Sequence, residues 1–111
     1  MPSLHFFVQG SDPEPYEVKI VQRENMNVSA YCSCAAGEKG LHCKHRVRIL
    51  RGQIDDIVSD NQDDVKTVVS WISGSDIETA IYDLMRAEEE LESLKKRITS
   101  FKKSLARAML N

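Results

Sequence analysis

The sequence predicts an α+β protein: a small ββα module, then helices, the last of them a long coiled-coil helix. Three observations carry that reading. Apolar and polar residues alternate with period two from Tyr16 to Val21 and again from Val28 to Cys32, as in half-buried strands. All three cysteines of the 111-residue chain, with His45, share one short segment spaced C-x-C, eight residues, C-x-H. From Ile77 to Ala108 there is no glycine or proline, and apolar residues recur in sevens. The implied organisation is 1–52 for the β-hairpin and metal-ligand segment, 53–74 for short connecting helices, and 75–111 for the long helix.

The elements follow in order. Leu4 to Val8 is apolar and β-prone, and Gly10-Ser-Asp-Pro-Glu-Pro15 breaks it. Tyr16, Val18 and Ile20 alternate with Glu17 and Lys19 as the first strand of a hairpin, Glu24 to Asn27 is its turn, and Val28, Ala30 and Cys32 line one face of the second strand. A tight turn at Ser33 and Ala35 would fold the Cys32 and Cys34 sulfurs inward, and Gly37 and Gly40 let the loop return. Cys43 and His45 then open a short helix through Val47, Ile49 and Leu50, with Ile54 in the same apolar spacing, ending near Gly52. Asp60 or Asn61 is expected to cap a helix bearing Val65, Val68, Val69, Trp71 and Ile72, stopped by Gly74, with Trp71 packed where two helices meet. Ser75-Asp-Ile-Glu78 reads as a capping box opening the last helix.

Cys32, Cys34, Cys43 and His45 supply three thiolates and an imidazole, the donor set of a closed tetrahedral Zn²⁺ site. With no position left for water, one zinc per chain would build structure and do no chemistry. His42, next to Cys43, is the alternative to His45 as fourth ligand, although adjacent ligands would strain one shell. His5 is read as a strand residue without a chemical role.

This C-x-C-x8-C-x-H pattern resembles the SWIM-type zinc finger over roughly residues 16–50. Gly40 and Lys44 match residues common in that family, while Ala35 and Ala36 stand where many members carry proline. The resemblance implies a structural zinc and contacts with nucleic acid or with proteins that act on it.

On the long helix, Ile77, Leu84, Leu91, Ile98 and Leu105 fall at heptad position a, and Ala80, Ala87, Leu94, Phe101 and Ala108 at d. Acids crowd the first half (Glu78, Asp83, Glu88, Glu89, Glu90, Glu92) and bases the second (Lys95, Lys96, Arg97, Lys102, Lys103, Arg107). Parallel mates would set like charge against like, so an antiparallel mate is expected. The expected interface is Ile77, Leu84, Leu91, Leu94, Ile98, Phe101 and Leu105 of a homodimer, or of this chain and a foreign helix.

A formal net charge of −2 argues against a whole-surface grip on nucleic acid. Locally, Lys39, Lys44, Arg46, Arg48 and Arg51 form an acid-free basic run on the metal segment, a candidate contact for phosphate or an acidic partner. No nucleophile elbow, phosphate-cradling loop or HExxH helix is present. No signal peptide or membrane span is read, and an odd cysteine count with two one residue apart argues against disulfides. The expectation is a cytoplasmic non-enzyme without a small-molecule substrate: an interaction protein binding a protein partner, as a subunit or inhibitor of a nucleic-acid-handling machine. The alternative is direct DNA or RNA binding through residues 39–51.

Overall fold

A computed structural model describes residues 1–110. It is mixed α+β: three antiparallel strands followed by helices, the last one long. The strands are β1 (Ser3–Val8), β2 (Tyr16–Gln22) and β3 (Val28–Cys32), and the helices α1 (Ala35–Glu38), α2 (Lys44–Leu50), α3 (Val65–Ile72) and α4 (Asp76–Met109). The chain divides into two compact units, Met1–Glu78 and Thr79–Asn111.

The expected hairpin gains a strand. β1 pairs antiparallel with β2, Phe6 opposite Val18, and β2 with β3, Val18 opposite Cys32. The ββα module is therefore a three-stranded sheet with helices. Pairing with β2 satisfies the β1 backbone and turns Phe6 and Val8 to one face of the sheet, where both are buried. Its outer edge is closed by the segment after α2. Gln9 N–H donates to the Asp56 carbonyl at 2.8 Å, Val58 N–H to the Phe7 carbonyl at 2.8 Å, and the Asn61 amide to the His5 carbonyl at 2.7 Å. An open edge would template pairing with other chains, and this cover removes it.

The core of the first unit combines Phe6, Val8, Val18 and Ile20 of the sheet, Ile49 and Leu50 of α2, Ile57, and Val65, Val68 and Ile72 of α3. The α3 positions recur at helical spacing, so one stripe faces inward. Trp71 is half-buried on the same helix, and Ile54, read above as continuing the α2 pattern, is exposed beyond it. Gly52 at φ +84° ends α2, its N–H reaching the Ile49 carbonyl at 3.0 Å.

The start of α3 differs from expectation. Neither Asp60 nor Asn61 caps it: a 3₁₀ turn at Gln62–Asp64 precedes that helix, Asp64 stands at its start without a capping bond, and the Asn61 side chain is spent on β1 and on Ser59. The α4 box is present in modified form. Glu78 N–H donates to Ser75 Oγ at 3.4 Å, and the Glu78 carboxylate accepts from Gly74 N–H at 3.2 Å.

Among the described residues α4 buries none of its side chains. Leu91, Leu94, Ile98, Phe101 and Leu105 are all exposed, Phe101 and Leu105 by 60% or more. Arg97 lies over the Phe101 ring at 5.9 Å one turn away. Among the described residues no helix is long and apolar enough to cross a membrane.

Candidate metal centre

Cys32 closes β3, Cys34 precedes α1, and Cys43 and His45 flank the first residue of α2, so sheet end, turn and helix start converge on one point. The three sulfurs and an imidazole nitrogen all lie within 4.8 Å of one another, and all four residues are buried. Cys34 Sγ is 3.3 Å from Cys43 Sγ. His45 Nδ1 is 3.5 Å from Cys43 Sγ and 3.8 Å from Cys32 Sγ. A zinc tetrahedron with bonds of about 2.3 Å to sulfur and about 2.0 Å to nitrogen has edges of about 3.8 Å and about 3.5 Å. The three short separations lie within about 0.5 Å of those edges, and the 4.8 Å limit of the whole cluster is wider than a closed cage, so the donors are gathered but not drawn in to full coordination distance. All exceed the ~2.05 Å of a disulfide; all three cysteines are free thiols.

Local folding explains the convergence. Cys34 is extended (φ −67°, ψ 161°), which swings its sulfur back, and its Sγ accepts the Gly37 N–H at 3.3 Å. Gly37 must be glycine. A Cβ there would stand 2.5 Å from the Cys32 carbonyl oxygen, too close for any side chain. The α1 turn lies flat on the end of β3 because that position is bare. His42 is exposed while His45 is buried with Nδ1 at the sulfurs, which assigns the fourth ligand position to His45.

The four donors differ in their protonation. Burial pushes the Cys32 thiol up to about 12, since a lone thiolate among apolar neighbours is unfavourable. Burial acts on Cys34 in the same sense, but the Gly37 N–H and the neighbouring thiols outweigh it and hold Cys34 below its ordinary value. For His45, burial and then the charges of Lys44 and Arg48 lower the pKa against an opposing Asp56, so the ring is held neutral, the form that ligates.

Residues outside the ligand motif complete the site. The Tyr16 ring lies 4.9 Å from the His45 ring, tilted by 46°. His45 Nε2 is buried with no hydrogen-bond partner, and a Cβ at Gly10 would come within 3.1 Å of it. An imidazole with Nδ1 on a metal carries its proton on Nε2, so this donor faces the Gly10 loop without an acceptor. Nothing in the ligand spacing points to Gly10 or Tyr16; only the fold brings them there.

The basic run divides. Arg46 donates to the Ala30 carbonyl at 3.1 Å and also to the Leu41 carbonyl, gripping the chain two residues before Cys32 and two before Cys43. Arg48 pairs with Asp56 at 3.1 Å. Lys39 and Lys44 are exposed, and Arg51 is half-buried at the end of α2. Arg46 and Arg48 thus have partners within the fold.

The Cys₃His cluster could hold a metal ion, and its spacing and donor chemistry fit a zinc site. In comparisons with known proteins, no protein-family model matches this chain, no curated protein matches it, and no solved structure matches it.

Proposed function

We propose that this chain is a non-catalytic, zinc-organised interaction protein. A SWIM-like module binds a protein partner, as a subunit or inhibitor of a machine that handles nucleic acid, and the long helix is a coiled-coil pairing element. The observation that carries this is the closed, buried Cys₃His cage. When bound there, zinc supplies a structural cross-link between strand end and helix start. With four protein donors there is no open coordination position for substrate or water, and all three thiols are used as ligands. Cys32, Cys34 and Cys43 would hold the metal as thiolates and His45 through Nδ1, while the Gly37 N–H steadies the Cys34 sulfur.

A protein partner is preferred over nucleic acid because Arg46 is committed to two backbone carbonyls and Arg48 is paired at the surface with Asp56. The overall charge is also slightly acidic. Direct nucleic-acid binding remains the second reading, favoured by exposed Lys39 and Lys44 beside the cage. Duplex affinity as a function of salt separates the two. A protein-binding module shows little affinity even at low salt. A phosphate-binding one shows a steep salt slope that Lys39→Glu with Lys44→Glu flattens. Those two lysines make the better test, because Arg46→Glu would release the two carbonyls beside the ligands and confound folding with binding.

A further inference from the structure

α4 is one unbroken helix of 34 residues whose apolar seam is exposed from Leu84 onward, Ile77 being half-buried, and the identity of its mate can be argued from how the seam complements itself. We propose that the seam takes a second copy of this chain, antiparallel, about a two-fold axis between Glu92 and Ser93. This rests on the reading of α4 as a pairing element and names what it pairs with.

Side-chain volume gives the first argument. In an antiparallel coil, an a residue shares its layer with a d residue of the mate. Reversal about the Glu92/Ser93 point sets Ile77 against Ala108 of the second copy, Ala80 against Leu105, Leu84 against Phe101, Ala87 against Ile98, and Leu91 against Leu94. Each of the three alanines meets a large residue, and no layer holds two alanines. Parallel pairing would stack Ala80, Ala87 and Ala108 each on its own copy and set Phe101 on Phe101. The layers would alternate between underfilled and overfilled, contrary to the near-constant density of packed interiors.

Charge gives an independent second argument. Antiparallel coils bring g beside g and e beside e of the mate. Glu90 then flanks Arg97 of the second copy and Glu88 flanks Lys95, each contact occurring twice by symmetry. The remaining flanks, Asp83 beside Ser104 and Ile81 beside Lys102, carry no like charges. The parallel arrangement has one attractive flank, Glu90 with Lys95, against two repulsive ones, Asp83 with Glu88 and Arg97 with Lys102. A helix evolved for a foreign mate has no need to match its own reversal in both volume and charge; this one matches in both. Such a dimer carries two metal-bearing units and is bivalent toward a partner.

The experiment is a pair of distance measurements on the full-length, zinc-loaded chain. Nitroxides are attached through a ketone-bearing residue placed at Ser93 or at Ser104, leaving the cysteines alone. Sedimentation, zinc content and dipolar label-to-label distances are read on the same samples. Antiparallel mates hold the two Ser93 labels near the interhelical spacing of about 10 Å plus label arms. They hold the two Ser104 labels about 35 Å apart along the axis, since 23 residues at about 1.5 Å each separate position 104 from the level of its mate. Short distances at both positions mean a parallel pair and overturn the proposal. So does a monomer, or a chain that sediments as a dimer only with another protein. Zinc content decides separately whether the module reading stands: one zinc per chain in a monomer would sink the pairing and leave the metal site intact.

Discussion

Gly37 is the residue on which the cage geometry turns, because its bare α-carbon lets α1 lie against the Cys32 carbonyl while its N–H holds the Cys34 sulfur. Gly37→Ala should therefore lower zinc affinity and cost about 1–3 kcal/mol of stability, as overpacking does, measured by competition with a chelator and by urea unfolding. Retention of wild-type affinity would mean that the turn relaxes freely.

Protons compete with the metal at the same atoms. The Cys32 thiol, raised to about 12, must lose its proton on binding, so affinity falls as pH falls. Burial first, then the charges of Lys44 and Arg48, hold the His45 ring below its ordinary value and so in the neutral, ligating form, which leaves the thiols to carry most of that competition. Zinc affinity of the full chain, read by chelator competition across pH 5–8, should decline on the acid side, and a flat profile would contradict this.

The ligands were legible in the sequence because thiolate and imidazole donors at short fixed spacing have few other uses. The Arg46 clamps and the Gly10–Tyr16 wall were not. An arginine bonded to carbonyls reads in sequence like a surface cation, and Gly10 reads as a chain breaker. Their roles come from contacts between segments far apart in the chain.

At the level of elements, periodicity did most of the work. Period-two alternation located β2 and β3, and freedom from glycine and proline located α4 almost to its ends. The sheet's third strand was harder to assign. A short apolar run such as Leu4 to Val8 says nothing of what it pairs with, and β1 owes its edge cover to residues 56–61, a stretch with no strand pattern of its own. Asn61 illustrates the same limit, since a good capping residue finds a better partner in the His5 carbonyl. Two substitutions probe these elements. Phe6→Ala removes a fully buried ring from β1 and should cost about 3–5 kcal/mol in denaturant unfolding, provided β1 is integral to the core. Leu91→Lys with Leu94→Lys would place charges in the middle of any α4 seam, where an unpaired buried charge costs several kcal/mol. Sedimentation should then report a monomer, and an unchanged assembly would mean that α4 does not pair through these residues.

For the molecule as a whole, the metal is assigned a structural task that the protein core performs only in part. The first unit has one three-stranded sheet and three short helices, and a core of that size gives little margin by itself. The four ligands bracket the junction from β3 to α2, so a metal there would tie strand end to helix start. α4 has no such core among the described residues, and its apolar seam positions from Leu84 to Leu105 are exposed. The two units should accordingly respond differently to metal removal. The most direct test is zinc content with hydrogen exchange of the same samples, before and after chelation and in the Cys34→Ser, Cys43→Ser double variant. The account predicts one zinc per wild-type chain and none held stoichiometrically by the variant. Without metal, amide protection should be lost from Tyr16 to Leu50 while the helical signal of α4 largely persists. Full zinc occupancy in the double variant, or undiminished protection of residues 16–50 in the metal-free chain, would contradict it.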